Sequence, residues 1–185
     1  MSPFVCLLRG VGGRVQIDPH LLKALLRAEG FDAVRVVGHT GNALLRSALS
    51  PAEVAARAGA ALIREAGFYN GLQIVAGDDW AAMVEGNPFP EAGEVPGALH
   101  LSILGAPPDP RRLEALARLS DGQDGFEVRG RAVYLHVPQG LAKSRLAGRF
   151  DRGIGAPLTT RGWGTVQRLA ALLDAGAAPA PARAA

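Results

Sequence analysis

The stretch SPAEVAARAGAALIREAG, residues 50–67, decides the fold. Ser50 caps a helix, Pro51 takes its first position, and Glu53 stands three residues after the serine. That is a capping box, and the helix it starts runs to about Ala66, where Gly67 ends it. Outward from this helix the apolar period changes. LQIVA at 72–76 reads as a strand downstream. Upstream, ALLRSAL at 43–49 reads as a strand, joined through the turn GHTGN to another, AVRVV at 33–37. Further upstream, Asp18 caps a helix from Pro19 to about Ala28, with Leu21, Leu22, Leu25 and Leu26 on one face. Gly30 stops that helix, and FVCLL at 4–8 is a short buried strand before it. The order is strand, helix, strand, strand, helix, strand, which is the ferredoxin-like βαββαβ unit.

Beyond residue 77 the pattern is looser. Asp78 or Asp79 is placed to cap a short helix through Met83, and NPFPEAGEVPG at 87–97 is a loop, given its prolines. LHLSILG at 99–105 reads as a strand and PDPRRLEALARL at 108–119 as a helix. FEVRGRAVYLHVP at 126–138 reads as a hairpin, followed by a basic segment and a last helix from near Thr165 to Ala175. The expected class is α/β in the α+β sense. A ferredoxin-like domain at 1–77 precedes a second, smaller α/β subdomain at 78–175 and a disordered Ala/Pro tail at 176–185.

Composition narrows the functional classes. The chain has 185 residues, 48% of them hydrophobic and only 5% aromatic, so the core is built of Leu, Val and Ala. The start, MSPFVCLLRG, has no basic region before a long apolar run, and no apolar stretch is long enough to span a bilayer. Cys6 is the only cysteine, which excludes an internal disulfide and any multi-thiolate metal site. Together these point to a reducing, cytoplasmic setting without a membrane segment. The net charge is +3, but residues 127–169 hold eight bases and two acids, a local +6. Such density attracts nucleic acid or another polyanion, or forms a solvated face in an arginine-rich chain.

Each candidate motif has a plain counterpart. Arg9, Gly10, Gly12, Gly13 and Arg14 form a glycine-rich loop after a strand. It approaches a phosphate with its backbone amides, or it is a flexible turn; it matches neither a dinucleotide fingerprint nor a Walker loop. Thr40 and Asn42 bind a ligand or close a turn. Lys143, Ser144 and Arg145 follow the strand and turn of VYLHVPQGLAKSRL at 133–146 and offer anion contacts. Arg161 and Trp163 lead into the last helix, where Thr165 is the expected cap. Trp163 stacks on a ligand ring or pins that helix to the sheet. The four histidines lack metal-ligand spacing, His100 and His136 read as satisfied structural residues, and no metal or cofactor is expected. Cys6 lacks a nucleophile elbow and reads as core.

FVCLLRGVGG, TGNALL, NPF at 87–89, LHLSIL at 99–104, YLHVPQGLAKSRL and TTRGWGTVQRL occur in one order along the chain. In this the sequence resembles the bacterial family called domain of unknown function 1697, from Phe4 to about Leu173. The resemblance implies a ferredoxin-like domain with a second small α/β subdomain, and no established activity, substrate or cofactor. It marks Arg9, Gly10, Gly12, Gly13, Gly41, Asn42, Asn87, Pro88, Phe89, Ser144, Arg161, Trp163 and Thr165. The chain departs from the family pattern in four places. Its first loop has only Val11 between Gly10 and Gly12, where the family has Ile-Asn-Val. Thr40 replaces a serine, Arg145 replaces a lysine, and Gly162 replaces an asparagine.

Three functions are compatible with these residues. The first is a small domain that binds a phosphorylated small molecule or nucleic acid through a basic cleft, with the arginines, Lys143 and Trp163 converging. The second is an enzyme on an anionic small molecule, with a titratable group in a pocket. The third is a structural or protein-partner module.

Overall fold

The computed structural model describes residues 1–177. The elements of the first half are β1 (Ser2–Leu8), α1 (Pro19–Ala28), β2 (Asp32–Val37), β3 (Asn42–Ser47), α2 (Pro51–Ala66) and β4 (Leu72–Ala76). The strands form one antiparallel sheet in the order β2-β3-β1-β4. The helix starts are those written in the sequence. Asp18 accepts from the amides of His20 and Leu21, and Ser50 and Glu53 form both halves of the capping box. Gly67 ends α2 in the left-handed conformation, at φ 59°.

α3 (Gly77–Glu85) and the short α4 (Pro90–Gly93) lead to the second half. There β5 (Leu99–Leu104), α5 (Pro110–Ala117), β6 (Gly125–Arg129), β7 (Ala132–His136), α6 (Arg145–Gly153) and β8 (Leu158–Gly162) precede α7 (Trp163–Ala177). The second sheet is also antiparallel and four-stranded, in the order β6-β7-β5-β8. The fold is therefore α+β with two four-stranded antiparallel sheets.

Strand alternation explains the layering. Phe4, Cys6 and Leu8 of β1 face α1 and α2. Val5 and Leu7, between them, face a central layer shared with Leu99, Leu101 and Ile103 of β5. Trp80 of α3 and Trp163, Val166 and Leu169 of α7 fill the same layer. On the far side, Leu104, Val133 and Leu135 pack against Leu116, Leu146 and Phe150 of α5 and α6. The two sheets thus lie face to face with a helix pair outside each.

Several expectations are corrected. The basic segment after β7, to which the sequence assigns no elements, forms α6 and β8. α6 carries two glycines and three arginines, so its apolar signal shrinks to Leu146, Ala147 and Phe150. β8 reads LTTRG and lacks apolar alternation, because Arg161 is satisfied from the other sheet. α7 begins at Trp163, so Thr165 lies inside its first turn and is not its cap. α3 has Ala76 at its cap position with no side-chain cap; Asp78 and Asp79 lie within its first turn. His100 is buried, yet its Nδ1 has no hydrogen-bond partner, so it is not the satisfied residue expected. Residues 176 and 177 belong to α7; the rest of the expected tail lies outside the described residues.

Candidate functional site

Arg161 sits opposite Leu101 on β5 and so faces the central layer. Its side chain crosses to the first sheet. Nε donates to Asn42 Oδ1, Nη2 donates to Leu8 O at 2.8 Å and to Thr40 O at 3.0 Å, and Nη1 donates to Thr160 O at 2.9 Å. These bonds use four of the five N–H groups of a guanidinium and leave one on Nη1. Every acceptor is neutral. The ion pairs among the described residues join Arg64 to Glu29 and Glu65, and Arg129 to Glu127, so none reaches Arg161.

Burial decides the charge state here. Removal from water pulls the Arg161 guanidinium down to about 10 from its ordinary 12.5, with the nearby Cys6 acting weakly the other way. It is still a cation at neutral pH. Burial pushes the Cys6 thiol up to about 12, outweighing the lowering effect of Arg161. Cys6 is therefore a neutral thiol at pH 7, and no thiolate compensates the guanidinium.

The loop holding Arg161 is specified by local chemistry. Asn42 is 1% exposed, and its Nδ2 donates to Val37 O at 3.1 Å and Thr40 Oγ1 at 3.0 Å, which closes the 38–41 turn. Gly41 has φ 70°, and a Cβ there would lie 2.6 Å from Leu8 Cβ and 2.9 Å from Val11 Cγ2. Glycine is required on both counts. It brings the 40–42 backbone close enough to β1 for Arg161 to bond to both.

A cleft of about 710 Å³ opens beside Arg161, at the edge between the sheets. Arg9, Gly10, Asn70, Thr159 and Thr160 line it with Arg161, and Asp151 is its one carboxylate. Thr159 is 3% exposed, and its hydroxyl has no partner. Gly10 has φ 65°, and a Cβ there would meet Asn70 Nδ2 at 3.2 Å. The lining is thus polar and net cationic, with donors from both halves.

The structure gathers Arg9, Gly10 and Arg161 around this cleft, with Thr40 and Asn42 bonded behind it. Arg14 is exposed and does not line it, and Gly12 pairs with Val15 in a tight turn. Lys143, Ser144 and Arg145 lie elsewhere. Ser144 caps α6 by accepting from the Ala147 amide, and its hydroxyl donates to Asp124 Oδ2. Arg145 lines a separate groove between α5 and α6. Trp163 is 6% exposed and packs in the central layer, 6.4 Å from the Tyr134 ring. Thr165 is half-buried on α7. Asn87 bonds the Phe89 backbone through both amide atoms, at 2.9 and 3.2 Å, which shapes the NPF turn ahead of α4. Asn70, Asp151 and Thr159 were not legible in the sequence, because the β1–β4 pairing brings Asn70 to the Arg9 loop and the β5–β8 pairing brings the segment from Asp151 to Thr159 there. Among the described residues no three His, Cys, Asp or Glu side chains form a metal-holding group. No helix there is long and apolar enough to cross a membrane.

Comparison with known proteins agrees with the architecture. The family described as "Protein of unknown function (DUF1697)" matches residues 1–134, and the chain belongs to that family. A solved structure of a conserved bacterial protein from Streptococcus pneumoniae superposes with a TM-score of 0.71 at 15% identity. That match covers 93% of this chain and 98% of the other. At that identity the likeness concerns the fold alone. No curated protein matches the chain significantly.

Proposed function

We propose that this is a binding domain for a small anion, a phosphorylated molecule foremost, held in the cleft between the Arg9 loop and β8. The observation that carries the reading is Arg161: a half-buried cation whose partners are all neutral, with one N–H left over beside an open polar cleft. Buried charges are normally paired, since withdrawing one from water costs several kcal/mol. A phosphate would supply the missing countercharge. It would also accept from Arg161 and Arg9. Asp151 opposes the anion, and the two arginines outweigh it. Asp151 is exposed and has no hydrogen-bonded partner to hold it, which favours a binding domain over an enzyme.

Two further proposals concern the scaffold. We take the first half as ferredoxin-like, on the strength of its chain order and its spatial order β2-β3-β1-β4, which the second half repeats as β6-β7-β5-β8. A division near residue 78 and a cytoplasmic setting are likewise our readings.

The test is a thermal-shift titration with inorganic phosphate against chloride at equal ionic strength. A saturable rise in Tm specific to phosphate is expected, because a ligand that binds only the native state stabilises it. Arg9→Ala, which alters a cleft-lining residue outside the Arg161 network, removes the rise without unfolding the protein. Identical responses to phosphate and chloride, or an undiminished rise in Arg9→Ala, overturn the proposal.

A further inference from the structure

The groove between α5 and α6 has a different make-up from the cleft beside Arg161. Its floor is Ala115, Leu116 and Leu119, and its rim is Arg112 of α5 with Arg145, Arg149 and Arg152 of α6. It encloses about 690 Å³. All four arginines are exposed, no Asp or Glu lines the groove, and none of the four makes an ion pair among the described residues. Arg112 Nη1 makes a long contact of 3.5 Å to Arg152 O. The other three side chains make no hydrogen bond there.

The spacing narrows the occupant. Arg145, Arg149 and Arg152 stand at i, i+4 and i+7 and so share one helix face, with neighbours about 5–6 Å apart. Over seven residues at 1.5 Å each they form a stripe about 10 Å long. A stripe suits a row of charges rather than one point charge. The apolar floor adds a second demand, since a phosphate or a nucleic-acid backbone gains nothing from leucines. No aromatic side chain lines the groove to stack a base. No Ser, Thr or Asn lines it either, so phosphate oxygens find no donors there besides guanidinium groups. A helix with carboxylates at i, i+4 and i+7 beside an apolar stripe meets both demands at once, in the helix-in-groove manner.

We propose that the α5/α6 groove docks an acidic amphipathic helix of a partner protein. Ala115 and Leu119, over the buried Leu116, receive its apolar face, and the four guanidinium groups pair with its Asp or Glu side chains. This surface is independent of the anion cleft, because none of its lining residues is shared with that cleft.

The probe is a synthetic helix about five turns long, near 18 residues at 3.6 per turn. It carries Leu and Ala on one face and Glu on the other, and binding to the full chain is read by fluorescence anisotropy. A twin with Lys in place of Glu and a short RNA duplex serve as comparisons. The expected result is micromolar binding of the acidic helix only. Reversing charge in an Arg149→Glu/Arg152→Glu protein weakens it at least about tenfold. Ala115→Gln, at an exposed floor position that keeps every charge, weakens it about fivefold by spoiling the apolar seat. Arg9→Ala leaves it unchanged. No binding of the acidic helix overturns the proposal. So does binding that ignores Ala115→Gln, and so does duplex RNA that binds with the same arginine dependence, which would assign the face to nucleic acid.

Discussion

The helix pair α1/α2 and the helix pair α5/α6 cover the outer faces of two sheets with the same strand order, yet they are chemically unlike. The first pair is longer, at 10 and 16 residues, and its contact is aliphatic, through Leu22, Leu26, Val54, Ala58 and Leu62. Two of its three arginines are tied down: Arg64 pairs with Glu29 and Glu65, and Arg57 donates to Glu29 O, while Arg27 is exposed and makes no ion pair among the described residues. The second pair has 8 and 9 residues and leaves four arginines unpaired around a groove. Covering such a sheet therefore does not require four arginines gathered around one groove. The charge on α5 and α6 is an addition to the scaffold, which is the reason for assigning it to a partner.

The largest test of the shared scaffold removes one buried leucine from each pair. Leu26 and Leu146 are both 0% exposed. Leu26→Ala and Leu146→Ala are expected to cost about 2–5 kcal/mol each in urea unfolding, with one transition in both cases because the sheets share the central layer. A loss confined to one half, seen as two transitions, would break the comparison.

Two glycines sharpen it. Gly153 in α6 would place a Cβ 2.4 Å from Leu116 Cδ2, so Gly153→Ala overpacks the contact with α5 and costs about 1–3 kcal/mol. Gly59 in α2 would place its Cβ at an ordinary 3.7 Å from Leu72 Cδ2. Gly59→Ala is expected to stabilise by about 0.5–1 kcal/mol, as alanine does within a helix. Opposite signs for the same substitution separate a helix–helix contact with no room at Gly153 from a helix–sheet contact with room at Gly59.

The sheets differ in their response to acid. Burial lowers the His100 imidazole below its ordinary 6.5, and nothing bonds its Nδ1. The unfolded chain takes up this proton first as pH falls. The contribution of neutral His100 is therefore full above pH 6.5 and is lost progressively below it. Melts across that range should show a Tm decline that His100→Gln reduces; an unchanged decline assigns it to other groups.

The smallest effects are at the surface. Arg64→Gln removes two exposed ion pairs and should lower Tm slightly, most visibly at low salt. Arg149→Gln removes a charge from a crowded, unpaired rim and should raise Tm slightly under the same conditions.

The sequence carried the first half almost whole, because each of its helices has a side-chain cap and each strand an apolar run. It carried the second half only as far as the β6/β7 hairpin. α6 was legible in principle from Ser144 as a cap and from Leu146 and Phe150 four residues apart, but with its arginines the stretch read only as a basic segment. β8 was not legible, since its face toward the first sheet is satisfied by Leu8, Thr40 and Asn42, more than 110 residues away along the chain. The same gap explains the site. Arg9 and Arg161 were both singled out, and they do meet at one cleft. Lys143 and Arg145 were grouped with them by charge, and the intervening helix carries them to another face.

Arg161 has only neutral partners, and on our proposal an anion supplies its countercharge. The most direct measurement is a crystal structure grown from high sulfate, with attention to the cleft between Arg9 and Thr159. One sulfate is expected there, accepting from the free Nη1 hydrogen of Arg161 and from Arg9. A cleft without an anion, with the Asp151 carboxylate turned in to pair with Arg161, would contradict it.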